Sequence, residues 1–221
     1  MIPRLHDDRG FTLVELLMTM SILSLVMALI TGTTIFMQRS INQTDQRFDD
    51  LSQARVAMDA TSRWVRSAIT VERASSTIDT QPFAEARRSR VDLIANIGVG
   101  GASAAPRRVV LEVVSGNQLR EQVWRGTIDA AGEWAQSGSP TTRILARGLT
   151  DTRVFTFFDA DGNDLTPASD TALTEAVREQ VRRVGIAISV RQAPNVGVPA
   201  SQLTTRVTLP NQFYFDAEGG S

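Results

Sequence analysis

The stretch Phe11-Thr12-Leu13-Val14-Glu15-Leu16 begins a long apolar segment that governs the architecture of this chain. Within residues 11–37, 18 of the 27 residues are apolar, and Glu15 is the one charged residue. The uncharged run 16–38 would span about 34 Å as a helix, whereas the hydrocarbon core of a bilayer is about 30 Å thick. The sequence therefore predicts a transmembrane helix over residues 11–38.

A cleaved secretory signal peptide is the alternative for this segment. The apolar region of a signal peptide runs about 7–15 residues and ends in a small-residue cleavage site. This run is longer and ends in Ile35-Phe36-Met37-Gln38-Arg39 without such a site, so the membrane helix is favoured. The flanking charges do not fix its orientation, because arginines lie on both sides and two aspartates accompany the first pair.

Helical periodicity continues beyond the apolar segment. Apolar residues recur at helical spacing, and no proline occurs between Pro3 and Pro82, so we predict one helix from residue 11 to residue 69 or 72, amphipathic in its second half. Gly32 is the interior residue with the weakest helix propensity and is the candidate for a bend. The predicted core-facing residues are Phe48, Leu51, Ala54, Met58, Val65 and Ile69.

After residue 70 the pattern changes to the two-residue alternation of strands. Gly116-Asn117 fits a tight hairpin turn, residues 173–180 fit a short helix capped by Ser169 or Asp170, and residues 98–105, 129–140 and 193–201 have loop composition. The predicted fold class is α+β, a long N-terminal helix packed on one mainly antiparallel sheet. The strand candidates are residues 90–97, 108–114, 118–124, 142–149, 152–158, 183–190 and 203–209.

The composition argues against most enzyme chemistry. The chain of 221 residues has no Cys, and its single His is His6. Thiol catalysis, a histidine-based triad and a multi-histidine metal site are therefore excluded, and no spacing of carboxylates isolates a catalytic pair. We predict no catalytic residues, no metal, no cofactor and no enzymatic activity. All 23 positive charges are Arg, yet the formal net charge is −1, so DNA is not an expected partner.

The residues Arg9-Gly10-Phe11-Thr12-Leu13-Val14-Glu15-Leu16 resemble the processing site of type IV pilins and pseudopilins, a leader ending in Gly, then Phe, then a Glu at the fifth mature position. The resemblance implies that prepilin peptidase removes a cytoplasmic leader after Gly10 and that Phe11 becomes the N-methylated terminus. It implies a single-pass protein of the cytoplasmic membrane with its head in the periplasm or outside the cell. It also implies filament assembly with other pilin subunits, in which Glu15 faces the terminal amine of a neighbour.

The energetics of Glu15 agree with this role. A carboxylate in a membrane helix costs about 2.5–3.5 kcal/mol at the bilayer centre and less near a helix end. Pairing with the new α-amino group of another copy would offset that cost and make Glu15 a determinant of assembly. The alternative is that Glu15 simply reaches the lipid headgroups.

Looser similarities favour a minor subunit. Residues 51–59 resemble the helix of J-type minor pseudopilins of type II secretion and of W-type minor pilins, and residues 203–209 resemble their last strand. Two departures from the family stand out: Gly32 lies where many major pilins have a bending Pro, and the paired cysteines of many heads are missing. The implied segments are the leader 1–10, the membrane and filament-core helix 11–38, the amphipathic helix 39–72 and the extracytoplasmic head 73–221.

The expected function is thus a minor pilin or pseudopilin of a type IV pilus or type II secretion pseudopilus. The alternative is a pilus-tip module for DNA uptake or adhesion. The runs Arg87-Arg88-Ser89-Arg90 and Arg107-Arg108 could contact phosphate, but they are short and lie near acidic residues, so solvated strand ends are favoured.

Two further groups have ordinary explanations beside functional ones. Asp159, Asp161 and Asn163 match the first ligand positions of a calcium loop, but Asp164 stands where that loop requires Gly, and a β-turn explains the composition. Trp64, beside Arg63, is a candidate subunit contact, with core packing as the equal alternative.

Overall fold

The structure is a computed structural model that describes residues 12–70, 83–96, 106–128, 134–191 and 199–209. A long helix precedes antiparallel strands, so the predicted α+β class is confirmed. The chain divides into two compact units after Asp45. The elements in chain order are α1 (Leu13–Arg66), β1 (Phe83–Ala86), β2 (Arg90–Ala95), β3 (Arg107–Val114), β4 (Gln118–Ile128), β5 (Trp134–Ala146), β6 (Phe155–Phe158), α2 (Glu175–Arg178), β7 (Arg183–Val190) and β8 (Ser201–Thr208).

The first unit contains the apolar part of α1. Its large apolar side chains from Leu13 to Met37 are all exposed in the single chain. An 18-residue window of α1 has a mean hydropathy of 2.3, so this helix is long and apolar enough to cross a membrane. The helix is continuous through Gly32, where an added Cβ would meet no atom within 4 Å.

The second unit contains the rest of α1 and two antiparallel sheets. Strands β1 to β5 form one sheet in chain order, and β6 to β8 form another. The prediction of a single sheet was therefore wrong. The chain leaves the line of β5 after Ala146, where Gly148 has a φ of 67°, and Leu149 then bridges Val190 on β7. The segment 147–154 thus connects the two sheets instead of extending the first.

The helix contributes mainly small residues to the core of this unit. Ala54, Ala57 and Ala60 are buried, whereas Phe48 is 66% exposed, so the predicted core-facing set was wrong at Phe48 and omitted two alanines. Small side chains let the helix backbone approach the sheet closely, which a larger residue at these positions would prevent. The largest fully buried side chains are Phe83, Phe155, Phe157, Leu93, Ile94, Leu111, Leu119, Leu149, Ile186, Ile188, Leu209 and Val65.

Most predicted strands are confirmed, and β7 has the predicted limits. β5 begins at Trp134 rather than residue 142, so residues 134–140 form strand instead of loop. This strand lies at the sheet edge and exposes most of its residues, so polar side chains and Gly138 are tolerated there. The four-residue β1 was not predicted. The loop candidate 98–105 and most of 193–201 lie outside the described residues.

The end of α1 and the start of α2 also differ from the prediction. α1 ends at Arg66, and Ala68 then bridges Ala95 at the end of β2. α2 has Thr174 as its N-cap residue rather than Ser169 or Asp170. The Asp170 carboxylate instead accepts hydrogen bonds from the backbone N–H and the hydroxyl of Ser89.

Candidate assembly site

Glu15 lies in the first turn of α1, with its side chain exposed. Thr12 begins this turn, because its Oγ1 accepts a hydrogen bond from the Glu15 backbone N–H at 3.3 Å and its carbonyl accepts one from Leu16 N–H at 3.1 Å. The helix N-terminus carries partial positive charge, which favours a carboxylate here. Gly10 and Phe11, the predicted processing and N-methylation positions, lie outside the described residues.

The sequence contained a signal for Thr12 that the prediction did not use. Thr-x-x-Glu before an apolar run is the pattern of a capping box, in which the hydroxyl of the cap residue bonds to the N–H three residues later. Thr12 and Glu15 make the first of these two bonds. Thr12 therefore fixes where the helix starts. This places Glu15 one helical turn after the predicted cleavage position.

The Glu15 carboxylate forms no ion pair with any residue in the described part of the chain. By contrast, most of the hydroxyl groups deeper in the apolar run are satisfied within the helix. Thr19, Ser21, Ser24, Thr33 and Thr34 each donate to a carbonyl of their own helix at 2.8–2.9 Å. Such bonding lets these polar side chains enter lipid without a water partner, whereas the charged Glu15 still needs an external partner.

Trp64 lies in the packing between α1 and the five-stranded sheet. It is 6% exposed, and its indole N–H donates to Glu121 Oε2 at 2.7 Å. Arg143 Nη2 lies 3.2 Å from Glu121 Oε1. This burial supports core packing over a subunit contact. Glu121 was not singled out from the sequence, because its partner lies 57 residues away.

Arg90 and Arg108, one arginine from each basic run, are paired with carboxylates within the sheet. Arg108 makes two hydrogen bonds to the Asp92 carboxylate, from Nε at 2.9 Å and from Nη2 at 2.6 Å, and this pairing raises the pKa of Arg108 above its ordinary value. Arg90 Nε lies 3.0 Å from Glu85 Oε2, and Arg90 also pairs with Glu112. A phosphate at Arg90 or Arg108 would have to compete with these carboxylates.

The Asp159 turn is closed by its own hydrogen bonds. Asp159 Oδ1 accepts from the backbone N–H groups of Gly162 and Asn163, both at 2.8 Å, and Oδ2 accepts from Asn163 Nδ2 at 2.7 Å. The bond from the Asn163 side chain is the largest cause that lowers the pKa of Asp159. In the described ranges no three acidic or histidine side chains form a group that could hold a metal ion.

The front of α1 carries a recognised family motif. Residues 5–31 match the prokaryotic N-terminal methylation motif. The matched segment includes Glu15 and most of the apolar run, and it supports the class of type IV pilins and pseudopilins. The motif implies processing by prepilin peptidase and assembly with other pilin subunits, and with the apolar helix it fits anchoring in the inner membrane. No curated protein and no solved structure matches the chain.

Proposed function

We propose that this chain is a minor pilin or pseudopilin, a structural subunit of a type IV pilus or a type II secretion pseudopilus rather than an enzyme. One observation carries the proposal. The methylation motif coincides with the first part of α1, where the large apolar side chains from Leu13 to Met37 are all exposed and the first turn holds an unpaired Glu15. An apolar surface of this extent needs lipid or other helices to cover it.

Processing would prepare the N-terminus for assembly. Prepilin peptidase removes residues 1–10, and Phe11 then carries a methylated α-amino group. The apolar helix holds the subunit in the cytoplasmic membrane, with the β-rich head on the outer side. The subunit leaves the membrane when helices of neighbouring subunits replace lipid around it.

Charge pairing would then select the correct register between subunits. The Glu15 carboxylate is costly in an apolar environment unless an opposite charge compensates it. A neighbour's α-amino group supplies that charge when the two helices are offset by about one turn. The Thr12 cap supports the pairing, because it holds Glu15 at a defined position on a formed helix.

A charge-removing variant at Glu15 tests this function. Glu15→Gln keeps the size of the side chain, and we expect it to be processed normally but to enter filaments at least tenfold less than the unaltered chain. Asp45→Asn is the matched control, since Asp45 is an exposed acid on the same helix beyond the apolar run. The measurement is the subunit content of sheared filaments relative to the membrane pool. Equal incorporation of Glu15→Gln and Asp45→Asn would contradict the pairing.

The alternative of a tip module for DNA uptake has less support. Arg90 and Arg108, one arginine from each of the two basic runs, are paired with carboxylates. Salt-dependent retention of DNA by the detergent-solubilised chain would favour this alternative.

A further inference from the structure

The part of α1 that belongs to the second unit has an exposed side with a regular pattern of apolar and charged residues. This side lies opposite the buried residues Ala54, Ala57 and Ala60 and covers about 100° of arc at 3.6 residues per turn. All of its members are exposed. We call this surface the outer face, and it consists of Phe48, Ser52, Arg55, Val56, Asp59 and Arg63.

Two large apolar side chains make the outer face partly hydrophobic. Phe48 is 66% exposed and Val56 is 59% exposed, and in the described part of the second unit these are the large apolar side chains that remain exposed. Ser52 lies between them, four residues from each. Because Ser52 is small, the surface between Phe48 and Val56 has room for a large side chain of another helix.

Three charged residues alternate in sign along the same face. Arg55, Asp59 and Arg63 follow one another at intervals of four residues. None of the three forms an ion pair with a described residue, although the guanidinium carbon of Arg63 lies 6.0 Å from the centre of the Trp64 ring. The charges of the outer face are therefore available to pair with charges on another molecule.

The pattern is complementary to itself at an offset of four residues. When a second α1 lies parallel to the first and is displaced by four residues, about 6 Å, Asp59 of one copy faces Arg55 of the other. Arg63 of the first copy then faces Asp59 of the second, and Ser52 of the first faces Phe48 of the second. Opposite charges thus meet twice, whereas at zero offset each charged residue would face its own like charge.

We propose that the outer face binds a second copy of this chain, with the two α1 helices parallel and offset by four residues. The offset equals the separation of Phe11 and Glu15, so this inference rests on the proposed function, in which Glu15 pairs with the terminal amine of a neighbour. An offset contact between parallel helices is head-to-tail, and a head-to-tail contact that does not close into a ring builds a filament. The charged pairs set the register of this contact more than its strength.

Cysteine cross-linking tests the offset directly, because the chain contains no Cys. Two full chains with different tags, one with Ser52→Cys and one with Val56→Cys, are produced together in cells that contain prepilin peptidase, and the membranes are mildly oxidised. At the proposed offset the two new thiols lie side by side, so we expect their disulfide to be the main product. Two Ser52→Cys chains, which need zero offset to react, should give little. Ser139→Cys, at an exposed position on β5, paired with Val56→Cys gives the level of random collision.

A charge exchange tests the pairing itself. In the cross-linking pair, Arg63 of the Val56→Cys chain faces Asp59 of the Ser52→Cys chain. Arg63→Asp in the former or Asp59→Arg in the latter should lower the yield of the cross-link about fivefold, because like charges then meet. The two changes together should restore the yield, since the charges are opposite again. Restoration would show that neither change damaged its helix.

The outcomes separate this contact from the proposed function. The contact is overturned if the disulfide at an offset of four residues is no more abundant than the one at zero offset or the one with Ser139→Cys. It is also overturned if the charge exchange does not restore the yield. The masses of the chains report whether the leader has been removed. Processed chains that fail these tests would overturn the contact alone, whereas chains that keep the leader would overturn both the contact and the proposed function.

Discussion

The indole N–H of Trp64 and the carboxylate of Glu121 are hydrogen-bonded at 2.7 Å across the boundary between α1 and β4. Both residues are 6% exposed. A buried carboxylate is costly unless it is bonded, and here Trp64 and Arg143 share that role. The pair therefore links α1 to β4 by a hydrogen bond as well as by packing.

Removing this hydrogen bond should destabilise the head. Trp64→Phe keeps an aromatic ring but leaves one Glu121 oxygen with fewer donors, so we expect the free energy of unfolding to fall by about 1–3 kcal/mol. Urea unfolding of the full chain in detergent measures it. Trp124→Phe is the matched control, because Trp124 makes an outer-face contact with Arg108 worth about 1 kcal/mol or less. Equal losses for the two variants would contradict a structural role for the bond.

Adding a methyl group at Gly126 should disturb the packing of Trp134. A Cβ at Gly126 would lie 1.9 Å from Trp134 Nε1 and 2.0 Å from the Pro106 carbonyl, the two atoms that form a hydrogen bond of 2.7 Å. We expect Gly126→Ala to cost about 1–3 kcal/mol of unfolding free energy through overpacking. Gly32→Ala is the control, since its Cβ meets open space and Ala favours the helix. A Gly126→Ala chain as stable as Gly32→Ala would show that the indole does not occupy this position.

Acid should open the Asp159 turn. Hydrogen bonds from Asn163 and Gly162 lower the pKa of Asp159 below its ordinary value of 3.8. The ionised turn is therefore fully stabilised above that value and loses stabilisation as the pH falls through the lowered pKa. We expect the backbone amide shift of Asn163 to be constant down to about pH 4 and to change below it. In Asp161→Asn, the control, the transition should be unaltered. A midpoint above 3.8 would contradict the hydrogen-bonded geometry.

Features that depend on neighbouring residues could be predicted from the sequence. Gly116 and Asn117 have φ angles of 81° and 53°, the left-handed conformations that Gly and Asn tolerate best, so the hairpin turn follows from the residues themselves. Strand β7 alternates buried apolar residues within eight positions, and its limits were predicted correctly. The apolar N-terminal part of α1 could likewise be predicted, because it follows from the composition of one continuous stretch of the sequence.

Features that depend on distant contacts could not be predicted in this way. The core-facing side of α1 is set by how closely the sheet approaches the helix. Ala57 is therefore buried while Phe48 is exposed, although Phe is the more hydrophobic residue. The first half of β5 looks like a loop because it contains Gly138 and Pro140, yet pairing with β4 holds it in a strand. The partner of Trp64 is decided by packing across 57 residues.

Processing of the N-terminus gives the sharpest test of the proposed function. Intact mass and N-terminal sequencing of the chain, recovered from cells that contain prepilin peptidase, should show a methylated Phe11 as the first residue. Gly10→Ala should leave the leader attached, whereas Gly32→Ala, the same change within the helix, should be processed normally. A chain that keeps Met1, that is cut beyond Met37 as a secreted protein would be, or that is processed fully despite Gly10→Ala would contradict its assignment as a pilin or pseudopilin subunit.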